Sequence, residues 1–362
     1  MPVKLSYSSV NRYKACPNKF KYSKLYRSKK IPSVLPFGKA VEEGIMALLL
    51  GSSLQEALAV FEANWLTEDS FGDKRKIYGN TAVEYYTSDY DKNLIAGFMD
   101  QAMDLEATEL TSKSNWQEAF EDIIDKHKKK KKTTAQEEAF FSKIMWNCCK
   151  VRGEIMIQSF HEQILPQVEE VVKIKGTPLV QKEVSFSNEE GDEIVGYSDV
   201  VLKLKKIDKP IIFDIKTSFA RYSKHQIDSS EQLKIYSAAL YEELNSRYAG
   251  YIVLVKKVKI AKSCSSCGHV REGLAKNCKQ CKKGQYDKLS YSNDIQLVYK
   301  EFKENELEDV MEEYGKVAMA IKNNLFYKNA SNCDQYNRKC DYYDLCWYHK
   351  KIEDIDYLEK KK

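Results

Sequence analysis

A chain of 362 residues with 43% hydrophobic and 31% charged residues has the balance of a soluble globular protein with a substantial core. No apolar run approaches the roughly 18 residues of a membrane span, and MPVKLSYSSV lacks the apolar region of a signal peptide, so a cytoplasmic protein without membrane partners is expected. The net charge of +5 is too mild to mark a nucleic-acid binder by itself. The Lys128–Lys132 run reads first as a solvated loop and second as a phosphate contact. Ten cysteines in such a chain point to metal rather than disulfides. They fall into groups: Cys16 alone, Cys148 with Cys149, then Cys264, Cys267, Cys278 and Cys281, and finally Cys333, Cys340 and Cys346.

In chain order, Ser6 is a candidate N-cap for a short helix with Val10 and Tyr13 at helical spacing, ended by Cys16-Pro17. Phe20, Tyr22 and Tyr26 then alternate with Lys19, Lys21, Lys24 and Arg27. Such a mixture serves either to stack bases and touch phosphates or as an amphipathic face with snorkelling lysines. From Phe37, FGKAVEEGIMALLLG predicts a helix stopped by Gly51, with Glu42 and Glu43 on its first turns, where acids also simply complement the helix dipole. Residues 52–165 read as mainly helical, broken near Thr67–Asn80 and at the lysine run, with Cys148 and Cys149 as core residues. From Glu169 to Ser187 the pattern is that of a strand.

The stretch Ile194–Ser218 carries the densest signal. Val195, Val200, Val201, Leu202 and Leu204 form one apolar run; Ile211, Ile212, Phe213 and Ile215 form a second, across a turn at Lys205–Pro210. This predicts a hairpin with one acid in each strand, Asp199 and Asp214. Strand alternation puts Lys216 on the face of Asp214. Burying such charges is costly unless they pair or hold a cation. A Mg²⁺ or Mn²⁺ site for phosphodiester hydrolysis would need this set, and a plain Asp–Lys salt bridge would satisfy it too.

Downstream, SSEQLKIYSAALYEEL predicts an amphipathic helix with Gln232 and Tyr236 on one face. YAGYIVLVKKVKI and SYSNDIQLVYKEF predict two strands that bracket the four-cysteine group, and ELEDVMEEYGKVAMAIKNNLF a helix leading to the last cysteines. Cys264-x2-Cys267 and Cys278-x2-Cys281 are the spacing of two thiolate knuckles, hence a closed structural Zn²⁺ site in a ribbon over 262–284. Lys262, Arg271, Lys276, Lys279, Lys282 and Lys283 make that ribbon basic and suited to touching DNA, while His269 is a bystander.

Taken in order, these motifs resemble the PD-(D/E)XK nuclease superfamily, and within it the RecB-type and Cas4-like exonucleases that carry an iron–sulfur cluster. GYSDVV resembles that family's metal-binding aspartate strand, FDIKTS its D-x-K signature and EQLKIY its Q-xxx-Y helix. LSYSSVNRYKACPNKF and CDQYNRKCDYYDLC resemble its two cluster-binding segments. The resemblance implies an α/β, restriction-endonuclease-like fold: a mixed central sheet flanked by helices, one nuclease domain over 1–362, with 52–165 and the zinc ribbon as insertions. It implies Glu42, Asp199, Asp214 and the backbone carbonyl of Ile215 as Mg²⁺ or Mn²⁺ ligands. Glu42 replaces a family histidine, and Glu43 is the neighbouring alternative. Lys216 would stand at the attacking water and not as a counter-ion for Asp214; Gln232 and Tyr236 would contact the DNA strand. Cys16, Cys333, Cys340 and Cys346 would hold a [4Fe–4S] cluster, or alternatively a second zinc. The gap Cys333-x6-Cys340 is longer than the family's usual two residues. The expected activity is a metal-dependent deoxyribonuclease, an exonuclease with or without endonuclease activity. It would act on single-stranded or end-bearing DNA in a bacterial or phage-infected cell, with recombination or replication proteins as partners. The rival expectation is a nuclease-fold DNA-binding accessory protein with weak catalysis.

Overall fold

The structure is a computed structural model and describes residues 2–65, 82–84, 116–188, 190–272, 277–335 and 338–361. It opens with a short strand, β1 (Lys4–Ser6), and two helices, α1 (Tyr7–Ala15) and α2 (Pro17–Leu25). Ser6 caps α1 as expected, its hydroxyl accepting the Ser9 N–H at 3.3 Å. As expected, α1 ends at Cys16-Pro17, and a second helix starts there at once. Cys16 is extended and serves as the N-cap of α2, with Pro17 at the first position, where its missing N–H costs nothing.

The next helix, α3 (Val34–Leu49), starts a turn earlier than the sequence pattern, because Pro36 is tolerated in a first turn. Glu42 and Glu43 therefore sit in mid-helix and not on its first turns, so the dipole does not explain them. The chain leaves α3 at Gly51 (φ +98°) and restarts as α4 (Leu54–Asn64) behind a Ser53–Glu56 capping box. Two further helices follow, α5 (Trp116–Lys128) and α6 (Ala135–Gln163). Residues 66–81 and 85–115 of the 52–165 segment, with the break expected near Thr67–Asn80, lie outside the described residues; between them is a short strand at Ala82–Glu84. Lys128–Lys132, the last residue of α5 and the start of the loop to α6, are all exposed.

Helices α3 to α6 share one apolar layer with a face of the central sheet. Phe37, Val41, Ile45, Phe61, Phe120, Phe141, Ile157 and Phe160 pack there with Val200, Leu202, Phe213 and Leu254. Cys148 and Cys149 are buried in the same layer. Two glycines set how closely these helices approach. A Cβ on Gly153 would lie 2.2 Å from Phe61 Cζ, and one on Gly44 2.6 Å from Ile157 Cδ1 and 3.1 Å from the Ala57 carbonyl.

The sheet has eight strands: β1, β2 (Val168–Val171), β3 (Val180–Ser187), β4 (Glu193–Leu204), β5 (Ile207–Ser218), β6 (Tyr248–Cys264), β7 (Val270–Glu272) and β8 (Tyr286–Glu301). The order β1-β4-β5-β6-β7 mixes parallel pairs (β1/β4, β5/β6) with antiparallel ones, and β2 and β3 add on β4 while β8 adds on β6. The strand expected over Glu169–Ser187 is broken in two, because Lys175 (φ 50°) and Gly176 (φ 80°) form a tight turn between Lys173–Ile174 and Thr177–Pro178. The turn expected at Lys205–Pro210 is shorter than that. Strand β5 resumes at Ile207, and Pro210 falls in a register shift between Ile207 and Ile211, where no ladder N–H is required.

On the other face lie α1, α7 (Glu231–Ala239) and α8 (Glu304–Lys322), with Val10, Leu233, Tyr236, Val310 and Tyr314 packed on Val201, Ile212, Tyr251 and Val253. Among the described residues no helix is long and apolar enough to cross a membrane.

Gly153→Ala is expected to destabilise the protein by about 1–3 kcal/mol through overpacking against a fully buried ring. Gly315→Ala, in α8 with open space around it, should stabilise by about 0.5–1 kcal/mol through helix propensity. Urea unfolding of the two variants checks both signs; a neutral Gly153→Ala would contradict the packing described.

Candidate active site

One edge of β4 is the origin of the site. Strand β3 occupies the opposite edge from Glu193 to Val200. On the near edge β4 pairs with β1 at Glu193–Val195 and with β5 only from Val200 onward. Gly196–Asp199 thus form a window without a strand partner on that edge. Facing it, β5 has left β4 after Phe213, and Asp214–Ser218 pair only with β6. The two strands splay apart at the acids.

Asp199 bridges the splay. Its Oδ2 accepts the Ile215 N–H at 2.6 Å, taking the place of a ladder carbonyl. A strand residue points its N–H and C=O to the same edge, so the Ile215 carbonyl faces the window as well. Asp214, only 1% exposed, accepts from Gln232 Nε2 at 2.8 Å through Oδ1. Its Oδ2 meets the Lys216 ammonium at 2.5 Å. Alternation along β5 thus places both side chains on one face, as read from the sequence. Lys216 is nevertheless a counter-ion of Asp214, contrary to the expectation that it stands apart from that acid. A carboxylate so deeply buried would be costly unpaired.

The α7 face converges as the four-residue spacing requires, with Gln232 Nε2 also 2.8 Å from Tyr236 Oη. Gly196 makes room for that ring, since a Cβ there would fall 2.6 Å from Tyr236 Cε1. Glu42 enters from α3, on the Asp214 and Lys216 side of the electrostatics. Gln181, in β3 with φ 45°, donates to Glu42 at 3.1 Å and to Glu43 at 3.4 Å. Gln181 carried no sequence signal, because its kinked backbone is a tertiary outcome. Gly196 does carry one: a glycine inside a strand marks a close approach.

The charges strain against one another. Burial, then repulsion from Asp214 and Glu42, pushes Asp199 up to about 8. Burial raises Glu42 against the Gln181 hydrogen bond, with Asp214 and Glu43 adding to it. Burial also raises Asp214 despite the pull of Lys216. Burial alone would lower Lys216, but Asp214 and Asp199 hold it well above its usual range. Tyr236 is raised by burial and by Asp214. Three carboxylates face one ammonium; fully ionised they would carry an excess of two negative charges, which a divalent cation with hard oxygen donors would balance.

This mixed sheet between helix layers, splayed at an aspartate strand and a D-x-K strand, is the fold of a known nuclease group. The family model of the PD-(D/E)XK nuclease superfamily matches residues 4–347. The chain belongs to that superfamily. No curated protein sequence matches it. As a PD-(D/E)XK protein it falls among metal-dependent nucleases, and the carboxylate set fits the divalent metal such enzymes use.

The structure also gathers a second group. The ligand atoms of Cys264, Cys267, Cys278 and Cys281 lie within 4.8 Å of one another and could hold a metal. The sulfur pairs Cys264–Cys281 and Cys267–Cys278 stand at 3.6 and 3.7 Å, close to the ~3.8 Å edge of a tetrahedron with 2.3 Å metal–sulfur bonds. Gly268 (φ 69°) and Lys282 (φ 57°) turn the two knuckles. Backbone N–H groups, Cys281 first, draw the Cys278 thiol down to about 6. His269 bonds through Nδ1 to Tyr286 Oη at 2.8 Å and takes no part in the sulfur set. Lys276 lies outside the described residues.

The remaining cysteines meet where the chain ends meet. Strand Tyr26–Ser28 pairs with Leu358–Lys360, Asn18 N–H bonds the Tyr327 carbonyl at 3.2 Å, and Asn18 Nδ2 lies 3.8 Å from Cys346 Sγ. Cys346 is raised mainly by burial and also feels Cys16 and Cys333, and Cys340 feels Cys333. Cys16, Cys333, Cys340 and Cys346 are thus neighbours, but not a group drawn within 4.8 Å like the first four.

Folding raises Asp199 from the ordinary carboxylate range to about 8, so between about pH 4 and pH 8 the folded state binds more protons than the unfolded one and stability falls as pH rises. Urea unfolding without added divalent metal should show this loss, flattened in Asp199→Asn, and Mn²⁺ should restore stability most at the alkaline end. Identical pH profiles for wild type and Asp199→Asn would contradict the charge cluster.

Proposed function

We propose that the protein is a Mg²⁺- or Mn²⁺-dependent DNA exonuclease acting on single-stranded or end-bearing DNA. The observation that carries this reading is the unpaired window of β4, where three carboxylates and one ammonium converge beside an open strand edge. In this reading Glu42, Asp199, Asp214 and the Ile215 carbonyl hold the ion, with Glu42 and not Glu43 as the ligand, because it is Glu42 that interacts with Asp214, Asp199 and Lys216. A divalent ion so held supplies Lewis acidity at the scissile phosphate and a water of lowered pKa.

The chain's own residues then have separate tasks. Lys216 keeps its proton and turns from Asp214 toward the water or the phosphate. Gln232 holds Asp214 and Tyr236 in place and, with Tyr236, orients the strand beside the window. The N–H of Ile215 fixes the Asp199 carboxylate. Cys16, Cys333, Cys340 and Cys346 hold a [4Fe–4S] cluster that ties the chain ends together, a link closing so long a loop that it stabilises chiefly against the unfolded chain. Cys264, Cys267, Cys278 and Cys281 hold a structural Zn²⁺. The 2.5 Å Lys216–Asp214 pair is the one observation favouring a weakly catalytic DNA-binding accessory protein instead.

A timed digest of end-labelled DNA with Mg²⁺ or Mn²⁺ separates the two. Asp214→Ala and Lys216→Ala should each lower the rate by about 10²-fold or more, the scale of removing a charge-stabilising group. Variants that digest as fast as wild type would refute the site. Protein purified without oxygen should be brown and contain iron, and Cys346→Ser should lose both colour and thermal stability; colourless wild-type protein would remove the cluster from the account.

A further inference from the structure

The four-cysteine group stands at the tip of a long arm. Strands β6 and β8 pair from Tyr248/Glu301 to Cys264/Tyr286, running on beyond the strands of the catalytic window. A register shift between Leu254 and Val258 bends this ribbon. One residue fixes the bend: Asn293, 1% exposed, donates from Nδ2 to the carbonyls of Val255 (2.7 Å) and Lys257 (3.3 Å). Its backbone N–H bonds Ser159 Oγ at 2.9 Å, and its carbonyl accepts from Gln163 Nε2 at 3.0 Å. Both partners lie on α6, so the arm is bolted to the helix layer and its direction is set by the core.

The tip is strongly basic. Between Lys262 and Tyr286 six Lys or Arg residues stand against one acid, Glu272. Even after the net double negative charge of four thiolates on one divalent ion, the tip keeps about +3. Lys279, Lys282 and Lys283 are exposed and have no ion-pair partner among the described residues. At the arm's root, by contrast, Lys259 and Arg221 are both paired with Asp294. Cations left unpaired on a small metal-held knob suit a polyanion.

The reach is also informative. Cys264 lies eleven positions along β6 from Val253, which pairs with Lys216. At about 3.3 Å per residue, less the slack of the bend, the tip stands roughly 30 Å from the carboxylates, close to the ~34 Å of one turn of B-form DNA.

We infer that the cysteine knob is a second DNA-backbone contact, which grips duplex DNA about one helical turn from the point of cleavage. This rests on the DNA-nuclease reading of the Asp199–Asp214 window. A protein with such an anchor discriminates by substrate length, because duplex too short to reach the tip is held by the window alone.

The test compares wild type with Lys279→Gln/Lys282→Gln/Lys283→Gln and with Lys282→Glu/Lys283→Glu, each with its zinc content measured to show that the knob is folded. Binding is read by fluorescence anisotropy without added Mg²⁺ or Mn²⁺, on duplexes of about 8 and about 30 base pairs. For the long duplex the Gln triple should bind about ten-fold more weakly at low salt, with the slope of log K against log salt reduced by about 3. The long-to-short preference should collapse toward one. An unchanged preference, or an equal loss on both lengths, would overturn the anchor. Failure of the DNA digest would sink the nuclease reading without touching this binding readout.

Discussion

The site depends on the place where β4 and β5 stop pairing. A continuous ladder would bury Asp199 and Asp214 between two strands with no room for substrate. Because β5 leaves β4 after Phe213, the strand edge opens, and a side chain, the Asp199 carboxylate, takes up the Ile215 N–H that a carbonyl would otherwise accept. The opening would be unstable without support, since unpaired buried backbone is costly. Support comes from Tyr236 entering over Gly196 and from β1, which resumes pairing with β4 at Glu193–Val195.

The opening also explains the charge balance. Burial raises the pKa of each of the three acids, and each is held by a partner of limited strength: Gln181 for Glu42, an N–H for Asp199, Lys216 and Gln232 for Asp214. Such a set is stable enough to persist and unsatisfied enough to accept a divalent ion. Glu42 reaches it from mid-helix, so its position rests on how closely α3 approaches α4 and α6, an approach that Gly44 permits. The helix layer is therefore coupled to the site, although it contributes a single carboxylate.

Features with a short period were legible in the sequence. The two-residue period of β5 paired Asp214 with Lys216, the four-residue period of α7 paired Gln232 with Tyr236, and the two Cys-x2-Cys spacings placed four sulfurs together. Features set by packing were not. The start of α3 depends on Pro36 lying in a first turn, so Glu42 looked like a dipole-complementing acid. Gln181 owes its role to a backbone kink, and the window in β4 to a competition among β1, β3 and β5 for its edges.

The measurement that bears most directly on this account is anomalous diffraction from crystals soaked in Mn²⁺. The account predicts a peak in the β4–β5 window bonded to Asp199, Asp214, Glu42 and the Ile215 carbonyl, with the Lys216 ammonium displaced from Asp214. A window without manganese and with the Lys216–Asp214 pair intact would contradict it.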